Sequence, residues 1–254
     1  MNVGWVDCLV QLRTIPQGER SRFKTTLVNN HVSAVVSAGY APTRDHEPAL
    51  LANETDSIKI YHAWGFHPEV RALWDHDAYR KMVQTLRPSF IGEVGLDKRF
   101  LETVDWETQE SRAMRAIELA REFRLPLLWH SVHATERSLK LIREAARVGV
   151  KGLWHGFHGS REVASTLIGL GWKLGVGPSL LREKNERLRG LMKSLPLESI
   201  LLESDWPQPH GPYSLKMVGQ ALATLRDLRV GDLQAALWNN FFDLVDRASV
   251  NRLT

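Results

Sequence analysis

Glu93, His130, His155 and Asp205 each stand at or near the end of an otherwise apolar run. The runs are Phe90–Leu96, Pro126–Ser131, Gly152–Phe157 and Ile200–Asp205, and His67 lies just past another, Ile58–Gly65. Two imidazoles and two carboxylates form a mixed nitrogen and oxygen donor set of the kind that suits Zn²⁺, Mn²⁺ or Fe. A carboxylate in such a set can bridge metals, and one beside an activated water can act as general base. Two carboxylates brought together without a cation would be costly to bury. A single histidine near a strand end is commonly an ordinary hydrogen-bonded residue, so the chemistry rests on these groups meeting in one place.

They meet if the chain gathers its strand ends. Short, nearly continuous apolar runs of the type buried on both faces recur along it: Gly4–Val10, Val32–Ala38, Ile58–Gly65, Phe90–Leu96, Pro126–Ser131, Gly152–Phe157, Lys173–Val176 and Ile200–Asp205. Helical patterns separate or follow them. Trp106–Phe123 has Asp105 as its N-cap, and Ala134–Val148 repeats the pattern. Leu188–Leu195 stops at Pro196, and Ser214–Leu228 and Asp232–Ala248 follow the last run. Eight strands alternating with helices in 254 residues predict an α/β fold, a single (β/α)8 TIM barrel over 1–254 with an extra C-terminal helix. Catalytic groups of such barrels lie at the carboxyl ends of the strands, where these residues fall. No G-x-G-x-x-G follows the first run, which disfavours a dinucleotide-binding sheet.

Composition narrows the class. The hydrophobic fraction of 43% and charged fraction of 24% are those of an ordinary globular chain. The one cysteine, Cys8, allows no intrachain disulfide. With no basic leader and no apolar stretch of membrane-spanning length, a cytoplasmic location and no membrane partner are expected. The net charge of +4 is compatible with a polyanionic partner and equally with plain solubility.

Words around the polar residues go further. The chain carries Gly65-Phe66-His67-Pro68, then Ile91-Gly92-Glu93-Val94-Gly95-Leu96-Asp97, then Leu125-Pro126-Leu127-Leu128-Trp129-His130-Ser131. His155-Gly156-Phe157-His158-Gly159-Ser160, Leu202-Glu203-Ser204-Asp205-Trp206-Pro207 and a late Asn240-Phe241-Phe242 follow. In this order and spacing they resemble the TatD-type DNases, metal-dependent hydrolases among the amidohydrolase-like TIM barrels. The resemblance implies a two-metal centre that hydrolyses phosphodiester bonds, often in DNA. It implies Glu93 as the bridging carboxylate and His130 and His155 as the histidines of the second metal. Asp205 takes the place of the aspartate that binds the first metal and handles the water proton, and His67 that of a histidine near the substrate.

One motif departs from that family. Its first strand normally ends in D-x-H-x-H, whose histidines hold the first metal. Here the stretch is Asp7-Cys8-Leu9-Val10-Gln11, with Leu9 and Gln11 at the histidine positions. Residues i and i+2 share a strand face, so both should point at the site, with Cys8 packed behind the strand. Leu9 cannot ligate, and an amide oxygen binds a cation weakly. The implied cofactor is a divalent metal (Zn²⁺, Mn²⁺ or Mg²⁺), one per chain rather than two, held by Glu93, His130, His155 and Asp205. Glu93 and Asp205 are the expected catalytic carboxylates; with a single metal held by Glu93, His130 and His155, Asp205 could serve as general base rather than ligand.

His67, His158 and Trp206 are expected on the substrate side. His133 and His158 could supply replacement ligands or be plain loop histidines. Trp206 could stack on a nucleobase or close the site against Phe66. Trp129 and Trp154, preceding two expected ligands, should face the helices as core. Lys98, Arg99 and the stretch Arg182–Arg189 could meet phosphates, although its interleaved glutamates suit a solvated helix start. The expected partner is DNA, as single strands or ends. RNA is a second candidate, and a protein partner in a multi-component nucleic-acid system a third. Two rival functions stand beside the nuclease: a catalytically impaired barrel that binds nucleic acid or protein, and a hydrolase of a small ester, lactone or amide.

Overall fold

The structure, a computed structural model, describes residues 4–40, 58–207 and 213–245. The strands are β1 (Trp5–Val10), β2 (Val32–Ser37), β3 (Lys59–Trp64), β4 (Phe90–Asp97), β5 (Leu127–Val132), β6 (Gly152–Trp154), β7 (Lys173–Val176) and β8 (Ile200–Leu202). All pair in parallel in sequence order. The ends of the sheet meet: Val10 bridges Trp206, Asp205 N donates to Leu9 O at 2.9 Å, and Gln11 N donates to Trp206 O at 2.8 Å. The chain is the expected (β/α)8 barrel.

The described helices are α1 (Arg20–Asn29), α2 (His76–Leu86), α3 (Trp106–Phe123), α4 (Thr135–Arg147), α5 (Arg161–Gly169), α6 (Glu186–Ser194), α7 (Leu215–Leu225) and α8 (Val230–Leu244). Asp105 caps α3 as its sequence predicts, accepting from Thr108 N at 2.8 Å. α1, α2 and α5 are additional to the helical patterns expected from the sequence. α1 buries only Phe23 and Leu27 and so has a faint apolar stripe. The predicted extension of the last helix to Ala248 lies outside the described residues. Two helices follow β8, so the extra C-terminal helix is present.

Alternation along the strands sorts the core into two layers. Val6, Cys8, Ala34, Val36, Tyr61, Ala63, Phe90, Leu128, Leu153 and Leu201 fill the barrel interior. Phe241 of α8 plugs its floor, with ring centroids 4.8 Å from Tyr61 and 6.2 Å from Phe90. Asn240 beside it donates to Leu197 O and Ile200 O at 2.8 and 2.9 Å, pinning α8 to the start of β8. The outward positions, Trp129 and Trp154 among them, pack against the helices as expected.

Cys8 is a correction. It belongs to the interior cluster together with Leu9, rather than lying behind the strand. The register of β1 on β2 shifts between Asp7 and Val10, and this irregularity breaks the strict alternation on which the expectation rested.

Candidate metal centre

The interior layers position the site. Leu128 and Leu153 face inward, so His130 and His155, two residues on, do too. β6 ends at Trp154, and His155 sits in the turn beyond it, where Gly156 adopts a left-handed φ of +58°. On β4 the register shifts between Gly92 and Val94, which brings Glu93 inward. All three side chains are buried.

Their polar atoms converge. His155 Nε2 lies 2.9 Å from His130 Nδ1 and 3.0 Å from Glu93 Oε1, and His130 Nδ1 lies 3.5 Å from the same oxygen. Ligands on one tetrahedral zinc, each at about 2.0–2.1 Å, stand about 3.3 Å apart. The spacing therefore fits a shared cation with little movement. His67 stands closer than its expected place on the substrate side. Its ring meets that of His130 at 4.5 Å, and one ligand atom each from His67, Glu93 and His130 lies within 4.8 Å of the others. His67 can thus supply a further nitrogen to the same centre.

Electrostatics follow from this crowding. Burial opposes charge on Glu93, but the His155 charge and the hydrogen bonds of His130 and His155 hold its carboxyl well below the usual range. Burial likewise opposes charge on His155, yet Glu93 chiefly raises it to about 9. His67 is pushed down to about 3 by burial. Burial and the Glu93 charge raise Asp205, with His155, His130 and a hydrogen bond from Gln11 opposing.

Gln11 and Leu9 occupy different roles. Leu9 is fully buried in the interior cluster. Gln11 Nε2 donates to Glu93 Oε2 at 2.6 Å, and the same side chain hydrogen-bonds Asp205. A neutral amide thus sits between the two carboxylates. Asp7 takes no part in the cluster. Its Oδ1 accepts from Ser204 N at 2.8 Å and its Oδ2 from Tyr213 Oη at 2.6 Å, tying β1 to the end of β8.

Two further carboxylates belong to the site without having been singled out in the sequence. Asp97 Oδ2 lies 2.8 Å from His130 Nε2, and the Arg99 guanidinium grips the same carboxylate. Although burial works to raise Asp97, His130 and Arg99 hold it well below the usual carboxylate range. Glu203 is buried, accepts from Gly156 N at 2.5 Å and stands 3.9 Å from His155 Nδ1. Burial pushes its carboxyl up to about 8. Period-two alternation marks both: Asp97 is four residues past Glu93, and Glu203 two before Asp205.

The remaining expected residues lie around the centre. His158 is exposed, with Nδ1 2.6 Å from Gly156 O, and His133 is exposed in the turn before α4. Neither joins the cluster among the described residues. Trp206 does not pack on Phe66. Asp205 has a φ of +48°, and Trp206 beyond it stacks on Phe23 of α1, centroids 4.5 Å apart and planes 3° from parallel. Phe66 packs on Trp74 instead, at 5.1 Å. Arg99 is committed to Asp97, and Arg189 donates to Leu180 O at 3.0 Å.

A family model of TatD-related DNases matches residues 11–246. The chain belongs to that family. The match starts at Gln11, so of the two departures from the first-strand motif Leu9 precedes it and Gln11 is its first residue. Among curated relatives, the uncharacterized metal-dependent hydrolase YjjV of Escherichia coli is 30% identical over 209 residues, 77% of this chain and 80% of its own. The human deoxyribonuclease TATDN3 is 30% identical over 153 residues, 56% of this chain and 54% of its own. The barrel superposes on the crystal structure of the E. coli TatD homolog YJJV with a TM-score of 0.85, at 23% identity, covering 97% of this chain and 99% of that one. A TatD family hydrolase from Entamoeba histolytica gives 0.82 at 18% identity, with 97% and 99% covered.

Proposed function

We propose that this TatD family member is a metal-dependent phosphodiesterase that cuts DNA, as single strands or ends, with one divalent metal per chain. The carrying observation is the convergence of His130 Nδ1, His155 Nε2 and Glu93 Oε1 within 3.5 Å, with the Gln11 amide on the other Glu93 oxygen. Glu93, His130 and His155 would hold Zn²⁺, Mn²⁺ or Mg²⁺, with His67 as a further nitrogen. Bound there, the cation supplies Lewis-acid polarisation and water activation.

The chain's own groups do the rest. Gln11 keeps both Glu93 and Asp205 hydrogen-bonded without a second cation. Asp205, raised by burial and Glu93, is suited to accept the proton of an attacking water and return it to the leaving oxygen. The exposed His158 and the half-buried Trp206 would serve as substrate contacts.

Arg13 adds a cationic contact. Its guanidinium lies 3.9 Å over the Tyr40 ring, and Tyr40 stacks on His67 at 5.2 Å, linking an exposed cation to the centre. A phosphate is the group such an arginine recognises. DNA as substrate is supported by the family description and by the name of the human relative.

The loss of both first-strand histidines favours one rival, a barrel that binds nucleic acid or a protein partner without cutting. Cleavage assays on single-stranded DNA, duplex DNA, RNA and a small phosphodiester, with Mg²⁺, Mn²⁺ or Zn²⁺ added, separate the readings. Single-stranded DNA cut by the wild type but not by His130→Ala supports the proposal. No cleavage of any substrate under any metal would contradict it.

A further inference from the structure

We infer that Glu203 is the positioning residue for His155: its carboxylate accepts a hydrogen bond from Nδ1–H and so leaves the Nε2 lone pair to the cation. The inference rests on the metal reading above and adds a residue to it.

The observation behind it is an unsatisfied ring nitrogen beside a carboxylate that itself keeps one unsatisfied oxygen. His155 Nδ1 and Glu203 Oε2 are both buried and have no hydrogen-bond partner. Leaving a buried polar group unpaired costs stability. The two groups face each other, since Glu203 Oε1 is 3.9 Å from His155 Nδ1. In this structure the ring is drawn the other way, with Nε2 held by Glu93 and His130. A neutral imidazole carries one N–H. Once Nε2 gives its lone pair to a cation, the proton must sit on Nδ1 and needs an acceptor. A ring or carboxylate shift of about 1 Å closes the gap to an ordinary hydrogen bond.

His130 provides the internal comparison. Its Nδ1 faces the cluster, and its far nitrogen, Nε2, lies 2.8 Å from Asp97 Oδ2, a carboxylate fixed in turn by Arg99. Glu203, fixed by the Gly156 N–H at 2.5 Å, is the counterpart on the other histidine. Carboxylates in this position set the tautomer and raise the basicity of metal-ligating imidazoles.

β7 is built around this carboxylate. A Cβ at Gly175 would overlap Glu203 Oε2 and press on His155 Cα at 2.9 Å. A Cβ at Gly177 would crowd Glu203 Cγ at 3.3 Å. Glycine weakens a strand interior, and here it leaves the space that Glu203 and His155 share.

The test compares the full chain with Glu203→Gln, titrating Zn²⁺ against a competing chelator and following His155 by nitrogen–proton NMR. The variant keeps an oxygen for the Gly156 N–H but puts an amide N–H donor in place of the second carboxyl oxygen. The expected result is Zn²⁺ binding weakened about 10–100-fold, with circular dichroism and the Tm of the metal-free protein little changed. The Zn²⁺-loaded wild type should show His155 protonated at Nδ1, with a downfield proton that moves upfield in the variant. Affinity within about twofold of wild type, with that resonance unmoved, would overturn the inference and leave the metal reading intact. A wild type that binds no Zn²⁺ would overturn both. Should Glu203→Gln fail to fold, the wild-type spectrum decides alone: a loaded His155 without a hydrogen-bonded Nδ1 proton overturns the inference.

Discussion

The side-chain nitrogen of Gln11 sits 2.6 Å from Glu93 Oε2, on the carboxylate whose other oxygen faces His155 at 3.0 Å. One carboxylate is therefore shared between an amide on one side and an imidazole pair on the other. At Gln11, one of the two positions where the family motif has histidine, a neutral hydrogen-bond donor satisfies this buried oxygen. Gln11→Ala leaves a buried carboxylate oxygen without its donor. Urea denaturation of the metal-free variant should show a loss of about 1–3 kcal/mol. A variant as stable as wild type would mean that the amide contact carries no weight.

Asp7 gives the protein a pH signature separate from the metal centre. Burial, opposed by Ser204 and Tyr213, raises its carboxyl from an ordinary 3.8 to about 6. Between those values the folded chain holds a proton that the unfolded chain has released. Stability from this group is therefore full below pH 3.8 and lost as pH rises to about 6, a change of about 3 kcal/mol. Asp7→Asn, a neutral isostere, should be more stable than wild type at pH 7.5, with the advantage shrinking toward pH 4. A difference that does not vary with pH would refute the assignment.

Arg13 tests the anionic substrate. Its guanidinium has the Tyr40 face at 3.9 Å and leaves its N–H edges for a ligand. Arg13→Ala should raise KM for DNA about tenfold, the worth of one charged hydrogen bond, with kcat within about twofold. Arg13→Lys should recover part of the loss, because charge survives but the planar fork does not. An unchanged KM would remove Arg13 from the substrate path.

The barrel and the convergence of Glu93, His130 and His155 were legible because they rest on period-two alternation and on polar residues ending apolar runs. Glu93, His130 and His155 are brought together as their strand positions imply. The same rule, carried two or four residues further, marks Glu203 and Asp97. They went unnoticed because a carboxylate inside a motif is assigned to the motif rather than to a partner. The placements that failed depend on local backbone irregularity. Cys8 turned inward at the register shift of β1, and Trp206 met Phe23 because Asp205 adopts a left-handed φ of +48°. The approach of His67 to within 4.5 Å of His130 is set by tertiary packing across the barrel, which adds a contact to its expected place near the substrate.

Metal stoichiometry of the purified chain, measured by elemental analysis beside His130→Ala and paired with cleavage of single-stranded DNA, tests the central claim most directly. The account predicts about one divalent metal per wild-type chain, with metal and cleavage both lost in the variant. Two metals per chain, or full cleavage by a protein that holds none, would contradict it.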